Sequence, residues 1–175
     1  MHQCRDRTAR VIREYVQCAL LTLRVREART SDYHRAMAAG YSGTPLAQKL
    51  GIKEGHRVVV LGAPQGFAGM LEPLPPVAMS TTLRGTADVV VLFVTRRAEL
   101  EKKLASITAK LDPAGGFWVA WPKKAAKVPT DMTEDVVREV ALPTGLVDNK
   151  VCAIDEVWSG LRLVIRKELR AARTK

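Results

Sequence analysis

From Ala87 the chain reads ADVVVLFV, and residues 89–94 are apolar without a break. A β-branched and aromatic run of this length, closed by Thr95 and a charged stretch, fits a strand buried on both faces. Such a strand needs helices above and below its sheet, which is the arrangement of parallel α/β domains. The neighbouring segments supply them. RVVVLGAP is a second buried strand, closed by Gly62 and Pro64. Leu100, Leu104, Ile107 and Leu111 recur at helical spacing behind Thr95, which is placed to cap them. DPAGG stops that helix, and GFWVAW follows as a strand. Asp131 with Glu134 three residues on forms a capping box for a helix that turns Val136, Val137 and Val140 inward.

Shorter elements complete the pattern. Thr44 caps a helix with Pro45 at its first position, ended by Gly51. Residues 66–71 make a helical turn, the proline-rich EPLPP is irregular, and residues 77–83 form a strand. Residues 150–154 and 161–166 are strands joined too closely for a crossover helix, so they pair antiparallel. The expected fold class is α/β: a Rossmann-like, mostly parallel sheet with helices on both faces and a C-terminal antiparallel hairpin. Its expected extent is residues 40–167, preceded by an Arg-rich extension over residues 1–39 and followed by a basic tail at 168–175.

The formal net charge of +10 invites a nucleic-acid partner. Its distribution argues against one. Residues 1–36 hold eight Arg against four acids, and residues 166–175 five bases against one acid. The 129 residues between them are nearly balanced, with 15 bases and 13 acids, whereas a nucleic-acid-binding fold carries its charge on a face of the folded body. Residues 1–36 contain no Lys, and three readings of them stand side by side. They are an extension ahead of a start at Met37, outside the native protein; or an added helix with Val11, Tyr15, Cys18 and Val25 on one face; or a targeting peptide built on YVQCALLTL. Three Cys without CxxC or Cys/His spacing fit a reducing, cytoplasmic setting and argue against a disulfide framework or a zinc site. No apolar run approaches the roughly 18 residues of a membrane span.

These segments carry two resemblances. DVVVLFV, a helix, LDPAGGFWVAW, a helix and a closing hairpin resemble the second half of a class I S-adenosylmethionine-dependent methyltransferase, whose L-x-P-G-G-x-L-x-V turn falls at residues 111–119. GYSGTPLAQKLGIK, LFVTRRAELE, WVAWPKK and LVDNKVCAIDEVWSGLRLVIRK resemble a bacterial domain-of-unknown-function family over residues 40–167, which implies no particular activity. The methyltransferase resemblance implies a cofactor site at a glycine-rich turn after the first strand and an acid ending the second. Here the turn is GAPQG and the second strand runs MSTTLRG into Arg84. One strand and one helix of that fold are missing before DVVVLFV. These departures weigh against S-adenosylmethionine as the cofactor and leave the cofactor unknown.

Ligands of open α/β sheets bind outside the carboxyl ends of the strands. That rule selects Gly62, Gln65, Thr95, Arg96, Arg97, Trp121, Lys123, Lys124 and Asp155. Arg96, Arg97, Lys123 and Lys124 would converge on a phosphate or carboxylate at helix starts, or else Arg97 pairs with Glu101 on a solvated helix. Trp121 and Trp158 would stack on a flat ligand or cap the core. Asp88, Asp155 and Glu156 are carboxylates without a visible catalytic setting, Cys152 reads as a core thiol, and His56 stands alone. Three functions are open: a binding module for a small anionic or nucleotide-like ligand without demonstrable catalysis, a reduced methyltransferase, or a protein contacting an acidic partner or nucleic acid through its basic ends.

Overall fold

Six strands build one sheet in the order β2-β1-β3-β4-β6-β5. The computed structural model describes residues 43–171, and a compact unit begins at Thr44. The expectations for residues 1–42, with their Met37 start, helix face and targeting run, and for residues 172–175 lie outside the described residues. In chain order the elements are α1 (Leu46–Leu50), β1 (Arg57–Leu61), α2 (Phe67–Met70), β2 (Ala78–Ser80), β3 (Ala87–Phe93), α3 (Arg97–Lys110), β4 (Leu111–Pro122), α4 (Glu134–Ala141), β5 (Leu146–Ala153), β6 (Trp158–Ile165) and α5 (Lys167–Arg170).

Strands β2, β1, β3 and β4 are parallel, while β6 runs antiparallel to both β4 and β5. The central strand β3 is buried along nearly its whole length, and its alternate residues feed two cores. Val90 and Leu92 join Leu100, Leu104 and Ile107 of α3 and Val137 and Ala141 of α4 on one face. Val89, Val91 and Phe93 join Leu46 and Leu50 of α1 and Phe67 and Met70 of α2 on the other. The Trp118 indole N–H on that second face donates to the carbonyl of Leu50 at 2.9 Å, which ties α1 to β4. Among the described residues no helix is long and apolar enough to cross a membrane.

Several boundaries differ from the sequence expectation. Strand β2 ends at Ser80, because the Ser80 hydroxyl accepts from Thr82 N (3.1 Å) and donates to Thr82 O (2.9 Å), turning the chain off the sheet. Six residues, 81–86, then lead directly into β3, so no strand or helix intervenes. DPAGG does not separate α3 from β4. Strand β4 starts at Leu111 and bulges, pairing Leu111 with Ala87 but Gly116 with Val89. Strand β5 starts at Leu146, with a second irregularity between Asp148 and Lys150. The cap of α1 is Pro45, not Thr44, and the cap of α4 is Thr133, whose hydroxyl accepts from Val136 N. Asp131 is engaged elsewhere, at α3.

Candidate functional site

The strand order creates a crevice between β1 and β3. From β1 the chain leaves to α2, which packs on the second face, and from β3 it leaves to α3, on the first. Adjacent parallel strands whose connections depart on opposite faces form a topological switch point, where open α/β sheets bind their ligands.

The turn at residues 62–66 lines one side of this crevice. Gly62 has φ +67°, and a Cβ there would lie 2.8 Å from the carbonyl oxygen of Phe93 at the end of β3. Only glycine permits both the left-handed backbone and that approach. Gly66, at φ +86°, precedes α2, while Ala63 and Gln65 are exposed. At the end of β2 stand the hydroxyls of Ser80 and Thr82, where the methyltransferase resemblance implies an acid.

The other side is formed by residues 94–97 and the loop after β4. Asp131 reaches back to this point. Its carboxylate accepts from Arg97 N at 2.7 Å, its own N–H donates to Thr95 O at 3.3 Å, and the Thr130 hydroxyl donates to the same oxygen at 2.7 Å. A carboxylate therefore already caps the amino end of α3. The Arg97 side chain donates to Glu101 (2.7 Å) and bridges to Glu139 (3.0 Å), contacts that raise its pKa further above the ordinary arginine value. Lys123 donates from its ammonium to Asp155 O (2.7 Å) and from its backbone to Val157 O (2.7 Å). Thus Arg97 and Lys123 hold the scaffold together, while Arg96 and Lys124 are exposed at the rim.

The remaining candidates are dispersed. Trp121 is buried in the first-face core, whereas Trp158 packs edge-on against Phe93 on the second face at 5.0 Å, so the two indoles do not face one ligand. The Asp155 carboxylate accepts from Val157 N (2.7 Å) and Trp158 N (2.6 Å) and builds the β5–β6 turn, with Glu156 exposed beside it. Asp88 lies at the opposite rim, paired with Arg57. His56 accepts from Lys53 N in a turn. Cys152 packs against the second core, and burial pushes its thiol pKa up despite Lys150 and Lys49. The sequence reading missed Thr130 and Asp131 at this site, because their partners lie some 35 residues away. It also missed the Ser80–Thr82 turn, for which the STT cluster was the available signal.

No protein-family model matches the chain, and no curated protein matches it. Solved structures do. A putative type 11 methyltransferase from Sulfolobus solfataricus superposes with a TM-score of 0.52 at 12% identity, over 70% of this chain and 90% of that one. The fold is methyltransferase-like. An S-adenosylmethionine-dependent methyltransferase from Clostridium acetobutylicum gives 0.49 at 7% identity, over 81% and 99% of the two chains. Magnesium protoporphyrin IX methyltransferase from Synechocystis, solved with bound SAM, gives 0.48 at 12% identity, over 78% and 90%. These findings correct the expectation that weighed against S-adenosylmethionine. Methyltransferases that use that cofactor are among the structural neighbours, and neither the GAPQG turn nor the missing acid takes this chain out of the fold of the Sulfolobus protein.

Proposed function

We propose that the protein binds S-adenosylmethionine in the crevice between β1 and β3 and acts as a reduced methyltransferase. The observation that carries this reading is the crevice itself: a methyltransferase-like sheet whose switch point is lined by a turn pressed against the end of β3 at Gly62. Residues of the chain fit the cofactor in kind. The exposed turn at 62–66 offers backbone to its amino-acid end, and Ser80 and Thr82 offer hydroxyls for its ribose in place of a carboxylate. The cofactor would supply an electrophilic methyl group on a sulfonium.

On the acceptor side, the exposed Arg96 and Lys124 support a substrate bearing a carboxylate or phosphate. Thr95 and Gln65 line the same rim, and Arg97, Lys123, Trp121 and Asp155 serve by holding its loops in place. The test is calorimetric titration with S-adenosylhomocysteine. Saturable binding with a Kd of about 1 µM to 1 mM is expected, the span of ordinary enzyme substrates. No binding at millimolar ligand would overturn the reading. A binding module without catalysis differs in one result: cofactor binding without methyl transfer to any anionic acceptor.

A further inference from the structure

Between the sheet bonds of β3 and the first bond of α3 the backbone turns through Thr95 and Arg96. Val94 N still donates to Ala120 O of β4 at 3.0 Å, and Glu99 N already donates to Arg96 O at 3.1 Å. Thr95 O and Arg97 N lie between, and both are held from the far end of the loop after β4. The Thr130 hydroxyl and Asp131 N donate to Thr95 O at 2.7 and 3.3 Å, and Asp131 Oδ1 accepts from Arg97 N at 2.7 Å. Met132, next in the chain, is buried in the first-face core, and its N–H donates to the Thr130 hydroxyl at 3.0 Å. The clamp is thus anchored to the body of the protein on its own side.

These bonds bear on the crevice in two ways. They flank Arg96, so they set the direction in which that exposed side chain leaves the rim. They also steady the end of β3, where the Phe93 carbonyl oxygen lies 2.8 Å from the place a Cβ at Gly62 would take. The turn at 62–66 rests against that carbonyl, so slack at Thr95 is passed on to the turn. Thr130 and Asp131 are themselves exposed, and solvent-exposed hydrogen bonds open more readily than a buried ladder.

We propose that Asp131, with Thr130, is a positioning residue for the crevice: the clamp holds residues 93–97 in the shape that receives a ligand. This role rests on S-adenosylmethionine occupying the crevice, as proposed above. Asp131 acts through the backbone of Thr95 and Arg97 and not by touching the ligand. Coupling of this kind is reciprocal, so a ligand in the crevice in turn tightens the clamp and slows opening of residues 124–129 behind it.

The test is calorimetric titration of the full-length protein with S-adenosylhomocysteine, alongside the rate of tryptic cleavage after Lys124 and Lys127 with and without saturating ligand. Asp131→Ala should raise Kd about fivefold, the lower end of ordinary coupling between sites. Asp131→Asn, whose side-chain oxygen can still accept from Arg97 N, should stay within about twofold of the wild type. Thr133→Ala removes the cap of α4 and should leave Kd unchanged, which separates positioning from loss of stability. The ligand should slow cleavage in the wild type and in Thr133→Ala, but not in Asp131→Ala. Should Asp131→Ala not fold, Thr130→Val, which loses the side-chain donor to Thr95 O, carries the same comparisons. Wild-type affinity or wild-type protection in Asp131→Ala overturns the clamp alone. So does a loss of affinity in Asp131→Asn or Thr133→Ala as large as in Asp131→Ala. No binding by the wild type overturns the cofactor site and the clamp with it.

Discussion

Gly62 and Asp88 anchor opposite ends of the central strands, and each makes a residue-scale claim. At Gly62 an alanine must adopt a left-handed backbone and place its Cβ 2.8 Å from Phe93 O. Gly62→Ala should therefore lower stability by about 1–3 kcal/mol in chemical denaturation. A variant as stable as the wild type would show that the turn is not pressed against β3. Asp88 is held by the Arg57 side chain at 3.0 Å and by its backbone N–H at 2.7 Å. Burial alone would raise its pKa, but these hydrogen bonds and the Arg57 charge outweigh it and leave the pKa below the ordinary carboxylate value. With a lowered folded pKa, the unfolded chain takes up its proton first as the pH falls. The contribution of Asp88 is thus complete above about pH 4 and lost below it. The stability gap between wild type and Asp88→Asn should narrow on acidification from pH 6 to pH 3, and a gap that stays constant would contradict the pairing.

At the scale of elements, the loop after β4 is fixed at both ends, by Lys123 to the β5–β6 turn and by Thr130 and Asp131 to Thr95 and Arg97. Asp131→Ala should cost about 1 kcal/mol, the usual effect of losing a helix cap. It should also speed proteolysis within residues 124–129, whereas Thr133→Ala, which uncaps only α4, should leave that cleavage unchanged. Equal cleavage in both variants would show that Asp131 does not tether the loop. The sequence made the continuous strands legible, because the runs at 57–61 and 87–93 can satisfy only a strand covered on both faces. It did not reveal that Asp131 serves α3, since a capping box and a long-range cap share one local pattern. Nor did it reveal the bulge in β4, since Pro113 with Gly115 and Gly116 also spells an ordinary turn. Trp121 and Trp158 share a rim, and the sequence leaves open whether they stack on a ligand or cap the core. Their faces depend on register, which pairs Trp121 with Ser159 and Trp158 with Pro122.

For the whole molecule, the six-stranded order places its switch point between β1 and β3, and the methyltransferase likeness of the fold makes that crevice the site to test. The rule of carboxyl ends selects Gly62 and Thr95 from the sequence, and the structure places both beside this switch point. The GAPQG turn weighs against S-adenosylmethionine in the sequence only as a missing motif, and the structure retains glycine where the backbone requires it, at Gly62. The cationic cluster likewise resolved into two groups once partners were placed, with Arg97 and Lys123 in the scaffold and Arg96 and Lys124 at the rim. The most direct measurement is amide chemical-shift mapping during titration with S-adenosylhomocysteine. The account predicts saturable shifts concentrated at residues 62–66, 80–82 and 94–96. An absence of shifts at millimolar ligand, or shifts confined to the opposite rim around Arg57 and Asp88, would contradict it.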